Sequence, residues 1–229
     1  SMHMFSREKN FYGGHGIVGA QIPLGTGLAF MHKYNGDGGV CHAYCGDGAI
    51  NQGQVYESFN MASLWKLPVI YVIENNKYGM GTSIARASAQ TEFFRHGEGL
   101  GIPGIKCDGM NVFSVKDSAL EAAAFVRAGN GPMIVEMNTY RYRGHSISDP
   151  AKYRPKEESE DWIKNKDPIK IYRQRMLDFG INESIISSME NEMKAQIEKA
   201  SAICKESSIP SIDLIHKDVW ANGGSEWHN

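Results

Sequence analysis

Long apolar runs and an excess of basic residues are both absent from this sequence of 229 residues. No uninterrupted apolar stretch approaches the roughly 20 residues that a membrane-spanning helix needs. The formal net charge is −2, so the sequence has no extended basic field for nucleic acid. We therefore expect neither a membrane nor a nucleic acid as a partner.

Cysteine is scarce, with four residues in the whole sequence and no Cys-x-x-Cys spacing among them. Three of the four lie in strongly apolar surroundings, which favours buried thiols over disulfides or zinc ligands. A reducing, intracellular compartment fits this pattern best. The first residues also lack the charged and then apolar leader that is typical of a secretory signal.

The sequence does contain enough apolar residues, 41%, to bury a full core. Along residues 13–104 one order repeats: a glycine-rich turn, a helical stretch, and a short apolar run that ends in polar residues. Such alternation is typical of βαβ units. It predicts an α/β fold with a doubly wound, mostly parallel sheet flanked by helices.

Six elements of the α/β part can be located from apolar periodicity, proline breaks and turn residues. We predict helices at residues 20–34, at 52–65, and from 117 or 118 to 128, and strands at residues 40–45, 69–73 and 133–137. The polar segment 139–155 follows the last of these strands.

The composition changes after residue 155, where a charged stretch is followed by a helix start at Asp167-Pro168 and a long amphipathic helix at 183–206. We predict an α/β domain over residues 1–155 and a helical extension over residues 156–229. The apolar stripe of the long helix has nearly heptad spacing, which favours a face docked on the chain's own domain. Its members are Ile186, Met189, Met193, Ile197, Ala200 and Cys204.

Asp47 and Asn76 end successive predicted strands, with a single helix between the two strands. A right-handed crossover brings the carboxyl ends of parallel strands to one sheet edge, where open α/β sheets bind ligands. A carboxylate and an amide carbonyl are hard oxygen ligands, and magnesium combines a few of these with phosphate oxygens and water. The pair therefore predicts a site for a magnesium-bound diphosphate.

Glycines on both sides of Asp47 allow a tight turn, and the backbone amides of Gly48 and Ala49 can donate to phosphate oxygens. A lone Gly-Asp-Gly is weak, because most such triplets are simple turns. Here 26 residues, with the required helix and strand, separate the triplet from Asn75-Asn76. That whole pattern resembles the thiamine-diphosphate fingerprint.

The resemblance covers residues 1–155 and continues more loosely beyond them. The sequence is similar to the alpha subunits of thiamine-diphosphate-dependent 2-oxo acid dehydrogenases, and most of all to pyruvate dehydrogenase E1 alpha subunits of alphaproteobacteria and mitochondria. The segments that carry it are residues 13–21, 65–68, 78–83, 108–110 and 140–150. The last of them looks pyruvate-like, and an acetoin or branched-chain 2-oxo acid enzyme is the alternative.

The resemblance implies an alpha2-beta2 enzyme with thiamine diphosphate between its subunits. It implies that Asp47, Asn76 and the Tyr78 carbonyl are magnesium ligands. Gly48 and Ala49 would contact the diphosphate, and Gly16 and Val18 the aminopyrimidine. His145 matches the family's active-site histidine, on a loop over the thiazolium, where it can transfer a proton or contact the diphosphate.

Partners follow from the same resemblance. The beta subunit supplies the glutamate that activates the cofactor in this family, so we expect the chain to be inactive alone. Pyruvate and the dihydrolipoyl acetyltransferase (E2) core are the expected substrate and partner, in a bacterial cytoplasm or alternatively a mitochondrial matrix. Family members also carry a segment before the matched one, with further cofactor contacts.

Two other functions are open at this point. Residues 14–19 satisfy Gly-x-Gly-x-x-Gly, the pattern of dinucleotide sites, but such a site needs a buried strand before it and an acidic residue after the next strand. The preceding residues are polar, which argues against it. The other function is a non-catalytic scaffold subunit that keeps affinity for magnesium and diphosphate.

Overall fold

The computed structural model describes residues 3–216. The chain divides into two compact units, Ser1–Tyr172 and Arg173–Asn229. The helices are α1 (Gln21–Asn35), α2 (Gly53–Leu64), α3 (Ile84–Ala87), α4 (Val112–Arg127), α5 (Lys156–Asn165), α6 (Pro168–Asp178) and α7 (Glu183–Glu206). The strands are β1 (Cys41–Gly46), β2 (Val69–Asn75), β3 (Tyr78–Gly79), β4 (Thr82–Ser83), β5 (Gly104–Asp108) and β6 (Met133–Asn138). Short 3-10 helices lie at Arg7–Lys9, Phe93–Leu100 and Ile212–His216.

Four strands form one sheet in the order β1-β2-β6-β5, and every neighbouring pair in it is parallel. Helices α1 and α2 contribute to the apolar cluster on one face, and α4 contributes to the cluster on the other. The prediction of a doubly wound parallel α/β fold is therefore confirmed. β3 and β4 form a separate antiparallel hairpin just beyond the end of β2.

The central strand β2 is the most apolar part of the sheet, with residues 69–73 all buried. A run of β-branched and aromatic residues without alternation is expected for a strand that is covered on both faces. After this apolar run, the last two residues of β2, Glu74 and Asn75, are polar. This change of polarity places the first polar side chains at the carboxyl edge of the sheet.

The structure differs most from the predicted elements at α4 and at β5. α4 begins at Val112 and not at residue 117 or 118, because the Asn111 side chain caps it by accepting from the backbone N–H groups of Phe113 and Ser114. β5 was missed altogether, since an edge strand of five residues with one buried side chain gives little periodic signal.

The cysteines are free thiols, as predicted. Cys45 and Cys107 are buried and Cys41 is partly buried, whereas Cys204 is exposed. Burial raises the pKa of the Cys45 thiol to about 12 and that of Cys41 to about 11, so neither forms a thiolate at neutral pH.

After residue 155 the described chain is helical, and α5 packs in the first unit through Trp162, whose ring stacks on Tyr140 with centroids 4.9 Å apart. In the second unit Arg173 pairs with Glu183 and Glu190. Of the apolar stripe of α7 only Ile186 is buried, and the docking of this face on the chain's own domain stays a prediction. The predicted domain division at residue 155 stays a prediction, and its last residues, 217–229, lie outside the described part.

Within residues 3–216 no helix has the length and apolarity required to cross a membrane.

Candidate functional site

A cavity of about 470 Å³ lies at the carboxyl edge of the sheet, where β1 and β2 end. The two strands are parallel neighbours in register, Gly46 opposite Glu74, so the residues that follow them emerge side by side. Asp47 follows β1 and Asn76 follows β2, and both line the cavity. Asp47 and Asn76 therefore converge at one sheet edge, as expected for parallel strands joined by a crossover. The other lining residues are Val18, Gly46, Gly48, Ala49, Tyr78, Gly79, Met80, Thr82, Ile84, Ala87, Ser88, Arg141 and His145.

Asp47 is the buried acid of this cavity, with 2% of its surface exposed. Its Oδ2 atom is buried and has no hydrogen-bond partner. Burial raises the pKa of this carboxyl, and the backbone N–H groups of Gly48, Lys77 and Asn76, together with the Arg141 guanidinium, act in the opposite direction. A buried carboxylate with one unpaired oxygen is costly for the fold, and such a cost is typical of a site that awaits a cation.

The turn after β2 holds the other oxygen donors. Asn76 accepts from the Tyr78 N–H through Oδ1 at 3.2 Å, an Asx turn that leaves this oxygen one lone pair. The Tyr78 carbonyl accepts from Arg141 Nη1 at 3.0 Å, and Arg141 Nη2 also donates to the Met80 carbonyl. The side-chain oxygen of Asn76 and the carbonyl of Tyr78 are thus oriented, and each retains one lone pair for a metal ion.

Gly48 lies against the β3-β4 hairpin. A Cβ atom at Gly48 would stand 2.9 Å from the Gly79 Cα atom, which is closer than carbon atoms approach without a shift. The glycine therefore allows two backbones to meet at the wall of the cavity. This contact brings Tyr78 and Gly79 next to the turn that carries Asp47.

Gly48→Ala is expected to lower the stability of the protein by about 1–3 kcal/mol, the usual cost of an overpacked contact, because the obstacle is backbone and cannot rotate away. Thermal or denaturant unfolding measures this loss. Gly46→Ala is the matched control, since a Cβ there meets nothing within 4 Å. Equal stability of the two variants would contradict the close approach of Gly48 and Gly79.

One of the two predicted amide donors is already engaged in the structure. The Ala49 N–H donates to the Gly46 carbonyl at 2.9 Å, whereas the Gly48 N–H lowers the pKa of the Asp47 carboxyl. A diphosphate that used the Ala49 amide would take it from its partner inside the turn. This competition could not be predicted from the sequence alone.

His145 lines the cavity from the loop that follows β6. Its backbone N–H donates to Asp149 Oδ2 at 2.7 Å, and Asp149 also accepts from the Ala151 N–H and the Tyr153 hydroxyl. These hydrogen bonds lower the pKa of Asp149, that from the His145 N–H most of all. Arg141 in turn donates to the Tyr153 hydroxyl, so one polar network connects the loop with the turn after β2.

Asp149→Asn should loosen the loop that carries His145, because an amide group offers one acceptor oxygen where the carboxylate offers two. We expect cleavage of residues 143–153 by a dilute protease to become at least several-fold faster than in the unchanged protein. Asp161→Asn is the control, because Asp161 is an exposed carboxylate that pairs with Asn165 and Lys166. Unaltered cleavage in Asp149→Asn would contradict a loop held by this residue.

Comparison with known proteins decides the family. The family model described as "Dehydrogenase E1 component" matches residues 1–213. The chain belongs to the dehydrogenase E1 component family. Curated members named "Pyruvate dehydrogenase E1 component subunit alpha" are 54% identical in Rhizobium meliloti and 51% identical in Zymomonas mobilis. The mitochondrial subunit of that name from Dictyostelium discoideum is 52% identical.

These three matches each cover 96% of this chain. They cover 63%, 62% and 58% of the respective relatives, so the chain spans less than two thirds of their length. The prediction of the dehydrogenase E1 family from the residues is confirmed.

Seven of the eight residues that sequence analysis named for the site line the one cavity. The exception is Gly16, which is exposed and does not line it. The roles of the eight residues stay predictions. Arg141 was missed as a functional residue, although it lies within a segment that matched the E1 family, because only the fold shows that it reaches the Tyr78 carbonyl.

The structure does not support the hypothesis that residues 14–19 form a dinucleotide site. The described residues before them form only a 3-10 helix and an isolated bridge between Ser6 and Phe11, not a buried strand. A Gly-x-Gly-x-x-Gly turn needs that strand to place a pyrophosphate at a helix start. Among residues 3–216 there is also no cluster of three or more His, Cys, Asp or Glu side chains that could hold a metal ion.

Proposed function

We propose that this chain is the alpha subunit of a pyruvate dehydrogenase E1 enzyme, and that the cavity at β1 and β2 holds the magnesium diphosphate end of thiamine diphosphate. The single observation that carries the proposal is the Asp47 carboxylate. It is buried, its Oδ2 atom lacks a partner, and it lies in one cavity with the Asn76 amide. Membership of the E1 family and the names of the relatives support the same assignment.

The donor set fits magnesium. Asp47, Asn76 and the Tyr78 carbonyl would supply one charged and two neutral oxygens, the hard ligands that this ion prefers, while phosphate and water oxygens complete its shell. A bound cation would also remove the cost of the unpaired Oδ2 atom. The fit is less direct at Tyr78, whose carbonyl already accepts from Arg141.

The diphosphate would lie between the glycine turn and the loop that carries His145. Arg141 and His145 line the cavity and can place positive charge or hydrogen-bond donors next to phosphate oxygens. Gly48 and Ala49 would contribute backbone amides, that of Ala49 once its hydrogen bond to the Gly46 carbonyl is replaced. When bound, thiamine diphosphate supplies the nucleophilic carbon and the electron sink for decarboxylation of a 2-oxo acid.

His145 would act on the substrate side of this arrangement. Its backbone is fixed by Asp149, so its side chain approaches the cavity from a defined position. An imidazole in that position can give or take a proton as the 2-oxo acid reacts. The chain itself would thus bind and orient the cofactor and move a proton. The remaining chemistry would belong to the cofactor.

The proposed partners are an E1 beta subunit, in an alpha2-beta2 assembly that completes the site, and the dihydrolipoyl acetyltransferase (E2) core, whose lipoyl group would be acetylated. The relatives' shared name refers to an alpha subunit, which supports an assembly with other subunits. Pyruvate is the proposed substrate and a bacterial cytoplasm the proposed location.

The test is to combine the intact alpha subunit with its beta subunit and to follow pyruvate-dependent reduction of an artificial electron acceptor. We expect turnover that requires both subunits, magnesium and thiamine diphosphate. Acetoin and branched-chain 2-oxo acids serve as competing substrates, and a preference for either would contradict the substrate assignment. Saturable cofactor binding without turnover on any of the three would indicate a scaffold subunit.

A further inference from the structure

Glu136 is a carboxylate with no exposed surface, located on β6 in the middle of the sheet. It accepts two hydrogen bonds, from Asn75 Nδ2 at 2.6 Å and from the Phe94 N–H at 3.0 Å. Buried acids are rare unless both oxygens are satisfied, and here both are. Glu136 therefore connects β2 with the 3-10 helix Phe93–Leu100 through polar contacts inside the core.

Asn75 is the last residue of β2 and is 1% exposed. Because its Nδ2 donates to Glu136, its Oδ1 points to the following turn, where it accepts from the Lys77 N–H at 3.2 Å. Lys77 has a φ of 78°, in the left-handed region that side chains rarely adopt. The hydrogen bond from the Lys77 N–H to Asn75 Oδ1 thus stabilises an unfavourable backbone conformation.

This turn carries the oxygen donors of the cavity. Asn76 lies inside it, Tyr78 follows it, and the N–H groups of Asn76 and Lys77 lower the pKa of the Asp47 carboxyl against the effect of burial. The orientation of the Asn75 amide therefore affects the backbone that lines the cavity. A reversed amide would place an NH₂ group against the Lys77 N–H, two donors without an acceptor.

Only an acceptor-only group fixes that direction. A carboxylate has acceptors on both oxygens, so it can take the Phe94 N–H with one and the Asn75 NH₂ with the other. An amide at the same position would have one acceptor oxygen and one donor NH₂ group. It could therefore accept from only one of the two donors, the Phe94 N–H and the Asn75 NH₂.

We propose that Glu136 is a positioning residue for the metal-binding turn: by holding the Asn75 amide in one orientation, it sets the backbone that presents Asn76 and Tyr78. The assignment of a metal to that turn rests on the proposed function, whereas the orientation of the turn does not. Glu136 contacts neither cofactor nor substrate in this account. It acts through Asn75.

The test uses a pair of exchanged groups. In Glu136→Gln, the new amide cannot satisfy Phe94 and Asn75 together, and if it donates to Asn75 the Asn75 amide must reverse and lose Lys77. In the double variant Asn75→Asp with Glu136→Gln, the Gln Nε2 donates to one Asp oxygen, and the other Asp oxygen accepts from Lys77. The Gln Oε1 then accepts from Phe94, so every hydrogen bond returns with the same total charge.

The first measurement is hydrogen exchange by mass spectrometry on peptides that contain Lys77 and Tyr78, in the intact protein assembled with its beta subunit and without cofactor. We expect exchange at Lys77 to be at least about tenfold faster in Glu136→Gln and to return to within about threefold of the unchanged protein in the double variant. Val135→Ala is the matched control, because it removes buried carbon on the opposite face of β6 and should lower stability without altering Lys77 selectively.

The second measurement is the magnesium concentration that half-saturates thiamine diphosphate binding, which should rise in Glu136→Gln but not in Val135→Ala. If the unchanged protein binds no thiamine diphosphate, the proposed function fails while the exchange data still test the turn. Equal Lys77 exchange in the unchanged protein and Glu136→Gln overturns the positioning role. If Glu136→Gln does not fold, a folded double variant with protected Lys77 supports that role, and one with unprotected Lys77 overturns it.

Discussion

Asp47→Asn is expected to weaken magnesium-dependent binding of thiamine diphosphate at least tenfold, about 1.4 kcal/mol. The substitution keeps the shape of the side chain and removes the only charged ligand among the three proposed ones. Isothermal calorimetry on the enzyme assembled with its beta subunit measures the affinity. Asp108→Asn is the control, since Asp108 also ends a parallel strand but does not line the cavity.

In the protein without metal, the same substitution should not lower the stability of the fold. Because burial raises the pKa of Asp47, the folded state binds a proton more tightly than the unfolded chain, whose value is near 3.8. Stability therefore falls as the pH rises from 3.8 through the raised pKa and stays reduced above it. We expect metal-free Asp47→Asn to be at least as stable as the unchanged protein at pH 7. A marked loss of stability would contradict a carboxylate that is costly for the fold.

His145→Gln is expected to lower kcat for pyruvate by about 100-fold or more, the usual effect of losing a residue that transfers a proton. Steady-state kinetics of the assembled enzyme measure it, over a range of pH. His32→Gln is the control, because His32 pairs with Asp37 and lies outside the cavity. Activity of His145→Gln within about twofold of the unchanged enzyme would contradict a catalytic role.

The kinetic pattern of His145→Gln also separates its two proposed uses. If the imidazole transfers a proton, kcat falls and the pH dependence of the rate changes shape, whereas cofactor affinity is nearly unchanged. If it contacts the diphosphate, affinity for thiamine diphosphate falls and kcat at saturating cofactor is preserved. Both results keep His145 in the site, and they assign it different tasks.

The framework of the site could be predicted from the sequence because each step was local. The apolar run at residues 69–73 identifies the central strand, and Gly46-Asp47-Gly48 and Asn76 mark where two strands end. The right-handed crossover between parallel strands brings those ends together, so side-chain contacts are not needed for this prediction. Fold class and the convergence of Asp47 with Asn76 follow from these few residues.

The contacts that orient the site could not be predicted in the same way. Glu136 lies in an apolar strand and Asn75 precedes the recognised Asn76, so neither stands out until hydrogen bonds join them across 61 positions of sequence. Arg141 reaches the Tyr78 carbonyl from a loop 63 positions away. The start of α4 was misplaced for a simpler reason, because the Asn111 cap was not recognised. Long-range polar pairs carry no periodic signal.

The most direct test of the account is a crystal structure of the intact alpha subunit assembled with its beta subunit, with thiamine diphosphate and with manganese in place of magnesium. We expect one anomalous difference peak within about 2.0–2.3 Å of an Asp47 carboxylate oxygen, the Asn76 Oδ1 atom and the Tyr78 carbonyl oxygen, with diphosphate oxygens completing the shell. A manganese peak beside the diphosphate that none of these three oxygens contacts would contradict the account.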